Sequence, residues 1–377
     1  MTSCISTEDP VAAKVSKTFA YCLLLVVSLI GNTLIIMVVY RDKKMKTTTN
    51  LLIVNMAISD LLVPIFAMPR ANVEIIFGNH RWLVDGTFGE ALCKLTAFFQ
   101  DISTLVSVQT LVAIALDRFY AVWFPLKALR IKPRVKYVIL LIWSISTVIH
   151  APYLYGFQIR TFDNSKTYCF LGWSGDVTKI VFLALITLIY VIPLLLITIF
   201  YGLIVRKLRK QTLYGVRNLV VHFSRREKRN RNVLKMSLAI VVVFFVSMSP
   251  FVVYLSIELF SPEGSVCLSK NFRFVTQYLV HCNGALNFFT YFIFNQSYRH
   301  GFLMILSRVF CASSYRCRWK KEVELTSPSI GRESHTVTRG TINQGMDLDQ
   351  KDVVLIQLRS LHETECREGT NGNIDNI

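Results

Sequence analysis

Charge is scarce in this chain. Of its 377 residues, 18% are Asp, Glu, Lys or Arg, 53% are hydrophobic, and the mean hydropathy is +0.44. A water-soluble protein of this length needs more polar surface than that. Catalytic signatures are missing too: there is no P-loop, no H-E-x-x-H zinc motif and no nucleophile elbow, so nothing points to an enzyme. The N-terminal "MTSCISTEDPVAAK" lacks the n-region and h-region of a cleavable signal peptide, which leaves the first apolar run as the expected signal anchor. No internal repeat suggests the inverted halves of a transporter. The only acids expected deep in apolar sequence are Asp60 and Asp101, too few for an ion pathway, so a transporter or channel is a remote alternative.

What is present is long apolar sequence. Seven runs, at about 18–40, 51–76, 91–122, 135–158, 178–206, 233–259 and 272–295, are each long enough to cross a bilayer. They show no ten-residue alternation, which argues for helices rather than a barrel. The expected fold is an all-α seven-transmembrane helix bundle over 18–295, with an N-terminus at 1–17. An amphipathic eighth helix at 296–310 and a polar, Ser/Thr-rich tail at 311–377 follow. In the eighth helix Phe302, Ile305, Leu306, Val309 and Phe310 are expected to share the apolar face that lies on the membrane.

The formal charge of +18 is distributed in a way that argues against nucleic acid. Arg41, Lys43, Lys44 and Lys46 fill one connection; Lys127, Arg130, Lys132, Arg134 and Lys136 fill another; the 206–235 stretch, with a longer loop expected at 207–232, is strongly basic. These are alternate connections, so the N-terminus is expected outside and the C-terminus in the cytoplasm of a multi-pass plasma-membrane protein. Asn295-Gln296-Ser297 then falls on the cytoplasmic side and is no glycosylation site.

One charged dipeptide stands at the basic end of the third run, in "ALDRFYAVWFPL". Cys93 and Arg118 are 25 residues apart, roughly 37 Å of helix, which puts them at opposite membrane faces. Asp117-Arg118-Phe119 resembles the Asp-Arg-Tyr motif of the rhodopsin-like (class A) G-protein-coupled receptors, with Phe119 in the Tyr position. The resemblance covers about 18–310. It is carried further by Gly31-Asn32, by Asp60 in "NLLIVNMAISDLL", and by Trp143, Pro193, Tyr201, Pro250, Asn287 and Tyr291. It implies a switch of Asp117, Arg118, Tyr201, Phe244, Asn287 and Tyr291 that meets a heterotrimeric G protein, with receptor kinases and arrestin acting on the tail. It also implies a Cys93–Cys169 disulfide and an allosteric sodium ion at Asp60, Ser107, Asn283 and Asn287.

Other cysteines invite a second pair, Cys4 with Cys267, and lipidation of Cys311 and Cys317 by which the tail would hold membrane lipid; Cys22 and Cys282 read as packing residues. Three positions depart from the family. Met248 stands where a Trp is usual, Phe288 where a Pro is usual, and Asn230 where some members carry an acid that restrains the Arg. A missing Pro restores a backbone donor and predicts a straighter seventh helix, and a missing acid predicts basal signalling.

Gln100 occupies the place of the amine receptors' Asp. Gln there resembles the receptors for C-terminally amidated neuropeptides, of Arg-Phe-amide, neuropeptide FF and neuropeptide Y-like kind. One carboxamide pairs with another as both donor and acceptor. Glu74, Asp101 and Glu258 would receive a ligand Arg, although Asp101 points about 100° away from Gln100. Phe98, Phe251, Tyr254, Gln277 and His281 would complete the cup, beneath a hairpin in "TFDNSKTYCFLGW". A class A receptor for a small non-amine ligand is the open alternative, with Gln100 then a packing residue. A light sensor is excluded, because 272–292 has no Lys for a Schiff base.

Overall fold

The third span is the axis of the molecule, because it carries small and apolar residues on most of its circumference. A computed structural model describes residues 9–124, 135–162, 166–213, 221–262, 266 and 268–312; for Lys44, 210–213, 221–233 and 308–312 it describes the backbone alone. The spans are α1 (Val11–Arg41), α2 (Thr48–Asp60) continued by α3 (Met68–Phe77), α4 (Gly86–Trp123), α5 (Val135–His150) with the short α6 (Tyr153–Gly156), α7 (Gly175–Ile186) continued by α8 (Ile192–Leu213), α9 (Val221–Phe260) and α10 (Lys270–Phe294). The eighth helix is α11 (Gln296–Ala312). α4 packs on α2, α5, α8 and α9, and α1 closes the ring against α2 and α10.

Among the described residues, six helices are apolar and long enough to cross a membrane by length and composition. α10, the seventh, falls short because it places Gln277, His281, Asn283 and Asn287 within the bundle. The first span begins at Val11, earlier than the expected residue 18, since Lys17 is neutralised by Asp9 at 2.6 Å and does not stop the helix. The expected loop at 207–232 is largely helix, with only 214–220 outside the described residues. The Cys4, Cys267 and Cys317 positions and the 313–377 tail also lie outside them.

Local chemistry explains the ends and bends. Thr47, Ser174 and Ser269 cap the second, fifth and seventh spans, each accepting from a backbone N–H three residues on. π-helical turns at Val63–Ala67 and Thr187–Val191 join the halves of the second and fifth spans beside Pro64 and Pro193. Apolar side chains such as Ile30, Leu140, Ile180 and Val246 face outward where lipid would lie. Inside, polar groups pair across helices: Asn55 donates to Thr110 at 2.9 Å and accepts from the Trp143 indole at 2.8 Å, tying the second, third and fourth spans.

The second long connection forms the expected hairpin, β2 (Phe157–Phe162) antiparallel to β3 (Lys166–Leu171). An unexpected third strand, β1 (Arg81–Trp82), pairs with the other edge of β3. Cys169 in β3 is bonded to Cys93 in the third span. In α11 the buried face is Tyr298, Gly301, Phe302 and Ile305, while Leu303, Met304 and Leu306 are exposed. Leu306 is therefore not on the face of Phe302, because one helical turn from Phe302 returns to Ile305 when the packing partner is α1 and α10.

Candidate functional site

At the end of the bundle away from the hairpin, Arg118 is held in a closed triangle. Its guanidinium donates to Asp117 at 2.5 Å and to the Thr49 hydroxyl at 2.7 Å, and Thr49 in turn donates to Asp117 at 3.0 Å. Arg118 thus rests on its own span and on the start of the second. Phe119 packs on Phe200 and Trp123 at 5.5 and 5.6 Å between ring centroids, and the Lys207 ammonium lies 5.2 Å over the Trp123 ring. Tyr201 and Tyr291 are buried, with Tyr291 stacked on Tyr298 of α11 at 5.5 Å. Asn295, at the junction of α10 and α11, reaches the Met236 sulfur of the sixth span at 3.8 Å.

Midway, Asp60 is 4% exposed and accepts from Ser107 at 2.8 Å and Asn287 at 2.9 Å. Ser59 and Ser107 share a further hydrogen bond at 3.0 Å. Gly284 makes the approach possible, since a Cβ there would lie 3.0 Å from the Asp60 Cβ. The amide oxygens of Asn32, Asn283 and Asn287 are buried and find no hydrogen-bond partner. One carboxylate, two hydroxyls and unpartnered amide oxygens form an oxygen-rich donor set of the kind a hard cation takes.

The sixth and seventh spans show two of the three departures. Met248 is partly buried against the core beside the buried Phe244, and Tyr190 bonds Ser249 at 2.6 Å across the fifth and sixth spans. Phe288 lies within an uninterrupted α10, as the missing Pro predicts. It packs on Phe302 at 4.9 Å and against Gly31, where a Cβ would come within 2.9 Å of the Phe288 side chain.

At the hairpin end a cavity of about 300 Å³ opens between the first, second and seventh spans. Lys14, Lys17, Lys270 and Arg273 line it, with Asp9, Glu74, Gln277 and aromatic Tyr21 and Phe274. Beside it, His80 adopts φ 58° and its carbonyl accepts from the Cys169 N–H at 2.9 Å. Burial holds the His80 imidazole below its ordinary pKa, against the pull of Glu74.

The family described as 7 transmembrane receptor (rhodopsin family) matches residues 31–291. The chain belongs to that family. It is 31% identical over 302 residues to neuropeptide FF receptor 2 of Mus musculus, covering 75% of this chain and 70% of that one. It is 29% identical over 307 residues to a QRFP-like peptide receptor of Branchiostoma floridae, with 79% of each covered. Against neuropeptide Y receptor type 2 of Homo sapiens it is 28% identical over 336 residues, covering 86% and 83%. The protein is a multi-pass membrane receptor and not an enzyme.

In this rhodopsin-family receptor the expected ligand residues separate into groups. Gln100 is half-buried and its side chain makes no hydrogen bond with another described residue. Tyr254 and Phe251 stack at 6.3 Å, and Tyr254 hydrogen-bonds the exposed Glu258. Gln277 lines the cavity. Four others have internal partners instead. Glu74 accepts from Arg70 at 3.1 Å and faces Arg273 at 3.5 Å, so two intramolecular arginines occupy the place expected for a ligand's. Asp101 turns, as its angle predicts, to the Tyr153 hydroxyl and His150 of the fourth span's end. Phe98 is buried in a cluster with Ile102, Val106 and Ile142. His281 bonds the Tyr21 hydroxyl at 3.2 Å in the packing between the first and seventh spans.

Sequence reasoning missed Thr49, Tyr153, Tyr21 and Arg273. Arg70–Glu74 was legible as an i,i+4 pair; the others meet their partners only through span packing. Cys22 is exposed on the lipid-facing side rather than packed, and Cys282 is half-buried. Asn283 makes no bond to Asp60, unlike Ser107 and Asn287. The side chains of Asn230 and Cys311 lie outside the described residues.

Proposed function

We propose that this receptor is activated from outside the cell by a C-terminally amidated peptide and couples to a heterotrimeric G protein in the cytoplasm. The Arg118 triangle carries the coupling half. Two groups, Asp117 and Thr49, hold the Arg118 charge at a membrane edge, and a partner that offers acceptors to the guanidinium competes for it. The ligand half rests on Gln100, whose carboxamide is free to pair with a ligand amide, and on relatives named as receptors for neuropeptides. Tyr254 and Glu258 on the sixth span supply a place for a ligand Arg. Loop charge orients the N-terminus outside, and the basic 206–235 stretch faces the G protein. Kinases and arrestin act on the Ser/Thr-rich tail.

Asp60 and Ser107, with Asn287 and the oxygen of Asn283, would hold a sodium ion. The bound charge would neutralise the carboxylate and stabilise the resting packing of the second, third and seventh spans.

The test is a calcium and cyclic-AMP screen of cells expressing the receptor against amidated peptides, each paired with its free acid. Activation by the amide alone, lost in Gln100→Ala, is the expected outcome. Activation by neither form at good surface expression would replace the peptide with a small non-amine ligand.

A further inference from the structure

A second cavity, of about 580 Å³, lies at the end of the bundle away from the hairpin, where α11 meets the first span. Gly301 brings the two helices together. A Cβ there would come within 2.5 Å of the Val38 side chain, and the cavity lies beside that contact, with the turn at Lys43–Met45 contributing Met45. Its floor is apolar, since Val38, Met45 and Ile305 are all buried. Its rim is polar and open, since Arg41, Ser297 and His300 are exposed. Arg41 and His300 make no hydrogen bond or ion pair with another described residue, whereas Asp42, the one acid among the described residues of the lining, has an intramolecular partner. Met37 and Tyr40 on α1 and Leu303 and Met304 on α11 are exposed apolar side chains beside it. The cavity therefore opens where lipid would lie, greasy within and cationic at its lip.

We infer that this cavity binds an anionic phospholipid, with its phosphate between Arg41 and His300 and the first methylenes of its chains on Val38, Met45 and Ile305. A guanidinium offers a phosphate two parallel N–H groups, and an imidazole donates an N–H whether it is neutral or charged. Neither side chain has to leave an intramolecular partner to do so. A soluble phosphate would meet the two donors and leave the apolar floor uncovered, which is why the occupant is a lipid. A choline head is disfavoured, because the described lining has no aromatic ring to receive a quaternary ammonium and two of its rim groups repel one. The proposed orientation enters only in naming the leaflet: with the N-terminus outside, this end faces the cytoplasmic leaflet, which carries the anionic phospholipids.

The experiment titrates the full receptor, purified in neutral detergent micelles, with a fluorescent phosphatidic acid and reads its anisotropy. Unlabelled phosphatidic acid is expected to displace the probe, phosphatidylcholine of the same chains to leave it bound, and glycerol phosphate to compete at least about tenfold more weakly. Arg41→Gln with His300→Gln is expected to weaken binding about tenfold. Ser297→Trp fills the cavity mouth, keeps both donors and is expected to weaken it as much. Lys136→Gln removes a charge at the same end of the bundle, outside the cavity, and is expected to leave binding as in the wild type. All four positions are exposed, so the fold is not at stake in these variants. Absence of binding, or an equal loss in Lys136→Gln and the double variant, would overturn the site. Displacement by phosphatidylcholine or by glycerol phosphate as effective as by phosphatidic acid would overturn the anionic lipid as its occupant. Binding in micelles depends neither on orientation nor on the extracellular ligand, so each of these failures leaves the receptor reading standing.

Discussion

Thr49 shows how much one hydroxyl can hold. It accepts from Arg118 and donates to Asp117, so it completes the restraint that an acid on the sixth span supplies in some members of the family. Thr49→Val keeps the shape and removes both bonds. A hydrogen bond to a charged group is worth about 1.5–3 kcal/mol, so ligand-independent signalling should rise severalfold in a cyclic-AMP or GTP-turnover assay. Unchanged basal output would mean the triangle does not restrain the switch. Asp60 makes a second prediction at this scale. Sodium is expected to weaken agonist binding to the wild type and to have no effect in Asp60→Asn, read by radioligand competition in sodium against choline chloride. The close packing at the same place gives a third: Gly284→Ala puts a methyl 3.0 Å from the Asp60 Cβ and should cost about 1–3 kcal/mol, seen as a lower Tm in detergent.

Among the elements, the seventh span carries the Phe288 departure. Phe288 keeps α10 unbroken and spends its ring on three neighbours, the first span at Gly31, Phe292 one turn on, and Phe302 of α11. Phe288→Ala should lower stability by about 3 kcal/mol and loosen α11 from the bundle, which hydrogen exchange over 296–307 would report. Phe288→Pro removes the N–H that bonds one turn back and should fold less well, despite restoring the family residue, because the Gly31 contact was built for a ring. Better expression of the Pro variant than of the Ala variant would contradict that account. The hairpin was legible as an element from the polar, β-branched and aromatic residues of "TFDNSKTYCFLGW", but β1 was not. Two residues carry no periodicity, and Arg81–Trp82 is a strand only because β3 offers it an edge.

For the whole molecule, the prediction concerns how the two ends communicate. The hairpin is fixed to the third span by Cys93–Cys169 and by Asp101 through Tyr153, whose ring touches Phe157 and Trp173 at the hairpin base. The same span ends at Arg118. Tyr153→Phe keeps the ring packing and removes the bond to Asp101. It should lower peptide potency while surface expression and basal signalling stay at wild-type level. Cys169→Ser should instead reduce surface expression itself.

The fold class was written in the sequence because apolar length and loop charge are properties of the chain alone: lipid admits a span of about twenty residues only as a helix. The disulfide was legible through the family resemblance, which pairs the start of the third span with the second long connection, and Cys93 and Cys169 are bonded. The ligand mouth was not. Glu74, Asp101, Phe98 and His281 sit on the right turns of their helices, yet each is turned to an internal partner by rotation and crossing of the spans, which no spacing along one chain encodes. Tertiary packing alone decided which acids were neutralised, because the arginines that meet Glu74 include Arg273 of another span.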